Sequence, residues 1–432
     1  MRKHSGLSCI LYATTAFALV SFAVSLLLAT SLDKTYDFSI PNARLPYFPS
    51  TKLQPAFAVN VEWPHEFIHI VNTRFQQEQG NLLALGRARL LLFQTFCLQS
   101  IIGQTILTKN PYQMPPFLWI IKVDPNLVPD LLKELISIVQ PYNFIYVVAS
   151  NNNYGIGQKI GGWRGGEAGI DILNSKVYTG NLTWLKVAHE SRKARGVLET
   201  RLDADDGLNV KYLDAIEKEA SQKLLWSFNQ TKLNKRRWMY WCSLHSVEWN
   251  PTPILQLEPS GDALRGVFSV KKTAHHCITA GMTIGLSLGM KENQVPRYQH
   301  DKLVEQLKYS KHKPNCGDSE TNITKCLKFI SDPLLGCVRS RTLTSAGMRG
   351  VSTDRKSFQQ RVATSNWNNA SIIANVLKVE FWTHMTNVMT VNLHLSRNRF
   401  EIASDNLKGQ CTKGHSCKNS TRQSLKSVIE LD

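Results

Sequence analysis

Runs of consecutive, mostly apolar residues alternate with helical patterns along the first third of the chain. The runs at 67–71, 117–121 and 144–148 are typical of buried strands. Between them, apolar side chains recur at helical spacing over 82–98 and 124–139, and Pro141 follows the second pattern. This order predicts an α/β fold with a Rossmann-type, mostly parallel sheet and helices on both faces.

Polar residues follow two of the predicted strands, where such folds bind their ligands. Thr73 and Arg74 come directly after the first apolar run. A later strand, predicted over 197–202, continues into an acidic stretch that reads Asp203-Ala204-Asp205-Asp206-Gly207. Ligands of open α/β sheets bind at the carboxyl ends of the strands. These residues therefore form the candidate site.

The acidic stretch has the composition of a metal site. Like charges this close are unfavourable unless a positive charge lies among them. Mn²⁺ and Mg²⁺ prefer oxygen ligands, and Mg²⁺ commonly combines one or two carboxylates with substrate phosphates. We therefore predict that Asp203 and Asp205 bind Mn²⁺ or Mg²⁺, with Asp206 as a further ligand or a helix cap. The alternative is an acidic turn before a helix that begins near Asn209.

The N-terminus predicts a membrane anchor. No charged residue occurs from Leu7 to Ala29, and Arg2 and Lys3 precede this stretch. Its length suits a bilayer span, and the positive flank should stay cytosolic. We expect a single-pass type II protein of the Golgi or endoplasmic reticulum membrane whose remaining chain is lumenal. The alternative is secretion after cleavage of a signal peptide near Ala29.

Charge and cysteine content agree with that compartment. Eight of the nine cysteines follow the span, so disulfides are expected, with a connectivity that the sequence leaves open. The formal net charge of +18 indicates either an anionic partner, such as a membrane surface or an anionic substrate, or a solvated surface rich in Lys and Arg. Nucleic acid is excluded as a partner by the lack of any known binding motif. Five sequons for N-glycosylation follow the span, at Asn181, Asn229, Asn322, Asn369 and Asn419.

The acidic stretch and its surroundings are similar to a known family. The stretch at 199–208 resembles the putative rhamnosyltransferases, a GT-A-like group of glycosyltransferases. Segments that agree are 71–75, 85–90, 117–122 and 339–348. The resemblance covers about residues 65–350. It implies a GT-A-like fold, a nucleotide-sugar donor and, from the family's name, rhamnose as the sugar.

The resemblance also implies roles for individual residues. Asp203 would contact the donor ribose and the metal, and Asp205 would bind the metal. Thr73, Arg74 and Arg87 would contact the nucleotide or its phosphates, because guanidinium groups suit phosphate. We interpret Arg89 as part of an exposed helix face.

Other candidates have two interpretations each. The aromatic stretch with Trp238, Tyr240, Trp241 and Trp249 is either a platform for an acceptor sugar or part of the core. The histidines His275, His276 and His300 are either metal ligands or structural residues.

A basic, hydroxyl-rich loop, with Arg339, Arg341, Thr342 and Thr344, either closes over the diphosphate or is a surface loop. The glycine-rich stretch at 154–169 lacks the dinucleotide-binding spacing and is interpreted as a loop, over an active site or simply on the surface. An acceptor hydroxyl needs a base in an inverting enzyme, and the candidates are Glu248, Asp262 and Asp301.

The sequence thus predicts four segments. Residues 1–32 form the cytosolic tip and anchor, 33–62 a stem, 63–355 the catalytic domain and 356–432 a C-terminal extension. The predicted function is metal-dependent transfer of a sugar, such as rhamnose, from a nucleotide-sugar to a glycan or glycoprotein hydroxyl. A non-catalytic glycan-binding protein on the same fold is the alternative. A phosphohydrolase is disfavoured because Gly207 stands where those enzymes usually carry Thr or Val.

Overall fold

Two β-sheets organise the protein in a computed structural model of the chain. The structure describes residues 62–150, 175–191, 194–224, 237–251, 265–272, 276–287, 302–309, 326–332, 336–345 and 370–411. The predicted anchor, the stem up to residue 61 and the glycine-rich stretch lie outside these ranges. Within them, no helix is both long and apolar enough to cross a bilayer.

The elements have the following bounds. The strands are β1 Phe67–Phe75, β2 Phe117–Val123, β3 Ile145–Ala149, β4 Gly196–Asp203, β5 Asp206–Leu208, β6 Trp238–Ser243, β7 His245–Asn250, β8 Val267–Lys272, β9 Met282–Ser287, β10 Leu327–Ile330 and β11 Cys337–Ser340. The helices are α1 Leu83–Leu92, α2 Leu98–Ile102, α3 Thr105–Thr108, α4 Pro129–Val139, α5 Leu182–Glu190, α6 Tyr212–Lys223, α7 Leu303–Tyr309, α8 Ala370–Glu380, α9 Met385–Arg397 and α10 Arg399–Cys411. A π-helical turn, Phe93–Cys97, joins α1 to α2.

The larger sheet confirms the predicted mostly parallel α/β arrangement. Its strand order is β10-β6-β9-β4-β1-β2-β3. Strand β1 pairs in parallel with β2 and β4, and β2 pairs in parallel with β3, whereas β9 runs antiparallel to β4 and β6. The carboxyl ends of β1, β2, β3 and β4 therefore meet at one edge.

Burial on both faces explains why β2 is apolar at every position except Lys122. All seven of its residues are buried between β1 and β3. The Trp119 indole donates a hydrogen bond of 2.9 Å to the Thr73 hydroxyl, so this polar pair is satisfied inside the core. Thr73 is thereby a structural residue beneath the sheet edge.

The smaller sheet shares a core with helices from both ends of the described chain. Its order is β5-β11-β7-β8. Apolar side chains of α1 and the π-helical turn pack with those of this sheet and of α8, α9 and α10 in one cluster. The C-terminal helices are therefore packed against the same core as the smaller sheet.

The aromatic stretch belongs to the core, as one of the two interpretations predicted. Trp238, Tyr240, Trp241 and Trp249 are fully buried. Trp249 packs against Phe96 of the π-helical turn, with ring centroids 5.3 Å apart. Buried rings of this kind offer no face to an acceptor sugar.

Disulfide bonding is confirmed for part of the cysteine set. Cys242 on β6 is bonded to Cys277, which lies before β9, and Cys326 is also disulfide-bonded. Among the described cysteines, Cys97 and Cys337 are free and buried.

The glycine of the acidic stretch is required by close packing. A Cβ atom at Gly207 would lie 2.9 Å from the carbonyl oxygen of Phe96. The Leu208 amide donates to the Ser100 hydroxyl at 3.0 Å, which holds β5 against the same helical segment. The clash would be with the Phe96 backbone, which cannot move aside as the end of a flexible side chain could. The π-helical turn and β5 can therefore pack this closely only when position 207 is glycine.

Gly207→Ala is therefore expected to lower the free energy of unfolding by about 2 kcal/mol. The control is Gly86→Ala in α1, whose Cβ would meet chiefly the end of the Leu131 side chain. That side chain can rotate, and alanine gains up to about 1 kcal/mol in a helix, so the control should cost less. Urea unfolding compares the two variants. Equal stability of Gly207→Ala and the wild type would contradict the close approach.

Candidate functional site

The candidate site lies where β1 and β4 end. Arg74 is paired in register with Asp203, so their side chains leave neighbouring strands at the same level. An Asp203 carboxylate oxygen lies 4.0 Å from Arg74 and 3.9 Å from Arg201. Its side chain remains one-third exposed. Asp203 is therefore accessible at the carboxyl edge of the sheet.

Asp205 stands beside Asp203 in the turn between β4 and β5. The Thr344 hydroxyl donates to an Asp205 carboxylate oxygen at 3.4 Å. Burial, followed by the negative charge of Asp203, raises the pKa of Asp205, and Arg89 opposes this effect. The ionised pair is thus unfavourable in the protein alone, and a cation bound between the two carboxylates would relieve it.

Asp206 points into the smaller sheet instead. Its carboxylate accepts a hydrogen bond of 3.0 Å from the Ser340 amide. Burial, then the charge of Asp205, raises its pKa well above the usual range, and Arg339 opposes the shift. Asp206 belongs to β5, which pairs with β11. Its carboxylate therefore adds a side-chain hydrogen bond between these two strands and does not cap a helix.

A pocket of about 250 Å³ opens beside the two carboxylates. Its floor and walls come from β1, the loop after it, α1, the β4–β5 turn and the 342–345 turn. The residues lining it are Arg74, Gln76, Gln77, Gln79, Arg89, Asp203, Ala204, Asp205, Thr344 and Ser345. Basic, acidic and amide groups thus surround one polar cavity.

The loop after β1 forms one wall and is conformationally strained. Gln76 and Glu78 have φ values of 52° and 59°, in the left-handed region that non-glycine residues seldom adopt. Gln77 donates to the Ser150 carbonyl at 2.7 Å, which ties the loop to the end of β3. Such strain persists only where surrounding contacts hold it, and it is frequent at ligand sites.

Arg89 joins three walls of the pocket. Its guanidinium donates to the side-chain carbonyls of Gln76 and Gln79, at 2.6 Å for Gln79, and to the Thr344 carbonyl at 2.9 Å. Burial lowers its pKa, and the charges of Asp205 and Asp203 counteract that effect. Arg89 therefore braces the loop and the 342–345 turn while it faces the carboxylates.

Positive charge is concentrated along this sheet edge. Lys122 on β2 is buried and in register with Arg74, which is in register with Asp203. Burial raises the pKa of Glu199 on β4, two strands away, and Lys122 is the largest opposing influence. Arg74 and Arg89 are the basic side chains that line the pocket.

The structure separates the residues predicted to contact the nucleotide. Arg74 and Asp203 line the pocket, whereas Thr73 is buried against Trp119. Arg87 is exposed on α1 and lowers the pKa of His394, though less than burial does, so it faces the C-terminal helices. Arg89, interpreted from sequence as exposed, is the α1 arginine that reaches the pocket.

The remaining candidates are placed as follows. The Glu248 carboxylate lies 3.7 Å from Arg339 and 3.5 Å from Arg341, so two guanidinium groups occupy it. Asp262 and Asp301 lie outside the described residues, as do His275 and His300, and His276 is exposed. In the predicted loop, Thr342 and Thr344 are buried and bonded to each other at 2.8 Å.

Sequence reasoning missed the glutamines. Gln76, Gln77 and Gln79 form a polar run directly after a buried strand, and all three are buried. Their position could have been recognised, because a polar run at the carboxyl end of a parallel strand is where ligands bind in such sheets.

The two pocket carboxylates fit a hard divalent ion. Among the residues described, no group of three His, Cys, Asp or Glu side chains converges on a metal position. An ion held here would therefore use Asp203 and Asp205 and take its other ligands from water or substrate phosphate, which is the usual pattern for Mg²⁺.

Comparisons with known proteins give a weak structural likeness. No family model and no curated protein matches the chain. S. aureus TarS, residues 1–349, is similar with 10% identity and a TM-score of 0.28, covering 85% of this chain and 92% of that one. Its complex with UDP gives 10% identity, the same coverage and a TM-score of 0.27. At these scores the likeness carries no weight for the fold or the site.

Proposed function

We propose that this chain is a metal-dependent glycosyltransferase. It transfers a sugar from a nucleotide-sugar to a hydroxyl of a glycan or glycoprotein, on a GT-A-like fold. Rhamnose is the first sugar to test, because the acidic stretch resembles the putative rhamnosyltransferases. The observation that carries the proposal is the pocket in which Asp203 and Asp205 face Arg74 and Arg89 at the carboxyl edge of a parallel sheet.

This pocket has the groups that a nucleoside diphosphate requires. Arg74 is exposed at the rim and free to turn from Asp203, 4.0 Å away, towards a phosphate. Gln77 and Gln79 add side-chain amide groups to the pocket lining, which suit neutral parts of the donor. Arg89 holds the Gln76 and Gln79 side chains in place, so little reorganisation is needed when the donor binds.

Asp203 and Asp205 would hold Mn²⁺ or Mg²⁺. The chemistry that the ion supplies when bound is neutralisation of the charge on the leaving diphosphate. Asp203, whose side chain is one-third exposed, would contact the donor ribose as well. The Thr344 hydroxyl donates to Asp205 and so fixes the orientation of that carboxylate.

The proposed location is the lumen of the Golgi or endoplasmic reticulum. The Cys242–Cys277 disulfide supports an oxidising compartment. The uncharged stretch at 7–29 supports a type II anchor. Asp262 and Asp301 are the proposed candidates for the base, since Glu248 is occupied by two arginines.

The test is a donor screen on the purified full chain. UDP-, GDP- and dTDP-sugars, including the rhamnose donors, are incubated with Mn²⁺, Mg²⁺ or chelator, and release of the nucleoside diphosphate is measured. We expect one donor to be hydrolysed slowly in the presence of metal and not in chelator. The acceptor is then sought with that donor.

A folded, metal-loaded protein that neither binds nor hydrolyses any nucleotide-sugar would contradict the proposal. A glycan array then tests the non-catalytic alternative. The aromatic platform that this alternative invoked is buried, so glycan binding would have to use another surface.

A further inference from the structure

The C-terminal helix α10 reaches the candidate site through two adjacent residues. The Asp405 carboxylate accepts hydrogen bonds from the Ala84 and Leu85 amides, at 3.1 and 3.5 Å. The Asn406 amide donates to the carbonyls of Leu343 and Ser345, at 2.6 and 3.1 Å. One helix therefore contacts both the start of α1 and the 342–345 turn.

The 342–345 turn carries Thr344 into the pocket. The Ser345 amide donates to the Thr342 carbonyl at 3.0 Å, which closes the turn. The Thr344 amide donates to the Thr342 hydroxyl at 3.2 Å, which orients the segment between them. These bonds define the shape of the turn, but they do not fix its position relative to the sheet.

Asn406 contributes to that position, as do Arg89, which donates to the Thr344 carbonyl, and the Ser345 hydroxyl, which donates to the Ser340 carbonyl at 3.4 Å. Asn406 is 1% exposed and belongs to a helix whose Ile402 and Ala403 are fully buried. Its amide nitrogen bonds the carbonyls on either side of Thr344. Thr344 then presents its hydroxyl to Asp205 and its carbonyl to Arg89. A shift of the turn would therefore move partners of both groups.

Asp405 helps to hold the N-terminus of α1, the helix that carries Arg89. The first amides of a helix lack partners within the helix. Leu82, at the N-cap, has no polar side chain to bind them, and Asp405 supplies an acceptor with the negative charge that a helix N-terminus favours.

We propose that Asn406 is a positioning residue of the active site. It holds the 342–345 turn so that Thr344 meets Asp205 and Arg89, although Asn406 itself does not line the pocket. The expected effect of Asn406 on catalysis rests on the proposed glycosyltransferase function. Its expected effect on the position of the 342–345 turn does not.

The test combines hydrogen exchange with kinetics on the full chain. In Asn406→Asp, a carboxylate oxygen would replace the amide nitrogen that donates to the Leu343 and Ser345 carbonyls. Asn406→Ala removes the side-chain amide without adding a charge. The matched control is Asn398→Asp. Among the described residues, the Asn398 side chain donates to the His394 carbonyl at 3.0 Å and towards the His394 ring, both within the C-terminal helices.

Exchange of the amides in 340–345 is expected to become at least tenfold faster in both Asn406 variants and to change less than twofold in Asn398→Asp. With a donor identified, kcat should fall tenfold or more while KM for the donor changes less than threefold, because Asp205 and Arg89 lose orientation but Arg74 is unaffected. Unchanged exchange would overturn the inference.

Faster exchange with unchanged kcat would also overturn the positioning role, since the turn would then move without consequence. A wild-type protein that turns over no donor would refute the proposed function, and exchange alone would then decide whether Asn406 holds the turn. If Asn406→Asp fails to fold, Asn406→Ala gives the same measurements.

Discussion

Asp205→Asn is expected to lower kcat/KM for the donor at least about a thousandfold, equivalent to about 4 kcal/mol of transition-state stabilisation. Asparagine keeps the size and the bond to Thr344 but removes the charge that holds the metal. The measurement is metal-dependent release of nucleoside diphosphate, together with titration of Mn²⁺ binding. We expect Mn²⁺ affinity to fall in parallel.

The matched control is Asp130→Asn, an exposed aspartate in the first turn of α4. It should retain activity within a factor of two. The metal-free Asp205→Asn protein should have a Tm no lower than the wild type. A carboxyl group whose pKa rises on folding destabilises the folded state at any pH above its unfolded pKa, and the pKa of Asp205 is raised. Full activity of Asp205→Asn would refute the metal site.

Arg89→Met is expected to reduce both activity and stability. It would leave the side-chain carbonyls of Gln76 and Gln79 without their donor and would remove a positive charge facing Asp205. Breaking a buried charged network by removing one partner costs about 3–5 kcal/mol. We expect a loss of about 3 kcal/mol in urea unfolding and at least a hundredfold loss in kcat/KM, by analogy with other buried positioning networks.

Arg87→Met is the control on the same helix. Arg87 is exposed, so its removal should change stability by less than about 0.5 kcal/mol and turnover by less than twofold. A large loss of donor affinity in Arg87→Met would instead restore the sequence-based prediction that Arg87 contacts the phosphates. Wild-type stability of Arg89→Met would show that the buried network is not required.

The first half of the larger sheet was predictable because its signal is local. Strands β1, β2 and β3 contain mostly apolar runs of five residues each, at 67–71, 117–121 and 145–149, and burial on both faces is what such runs predict. The helix predicted over 82–98 was nearly correct in extent, but periodicity does not reveal a π-helical turn. That turn packs against β5, more than 100 residues away.

The smaller sheet could not be predicted in the same way. Its strands β5, β11, β7 and β8 are three to six residues long and pair across long separations. Such pairings are decided by packing against α1 and the C-terminal helices, which leaves no local pattern. The C-terminal contribution to the site was missed for this reason.

The sequence did contain a pattern that indicates which of the two arginines of α1, Arg87 or Arg89, reaches the pocket. Arg89 is four residues from Leu85 and from Phe93, which are both fully buried, so helical spacing places it on the core face. Arg87 is four residues from Leu83, which is exposed. A guanidinium on a core face needs buried partners, and the glutamines after β1 are those partners.

The contact between α10 and α1 has a consequence for biosynthesis. Asp405 and Ala84 are 321 positions apart. At roughly 5–20 residues per second, many seconds separate the emergence of α1 from that of α10. The N-terminal strands can pair in that time, but the Leu343 and Ser345 carbonyls lack the Asn406 donor until α10 has been translated. A nascent chain should therefore not process its donor before synthesis is nearly complete, and truncation before α10 should give an inactive protein even where the larger sheet has formed.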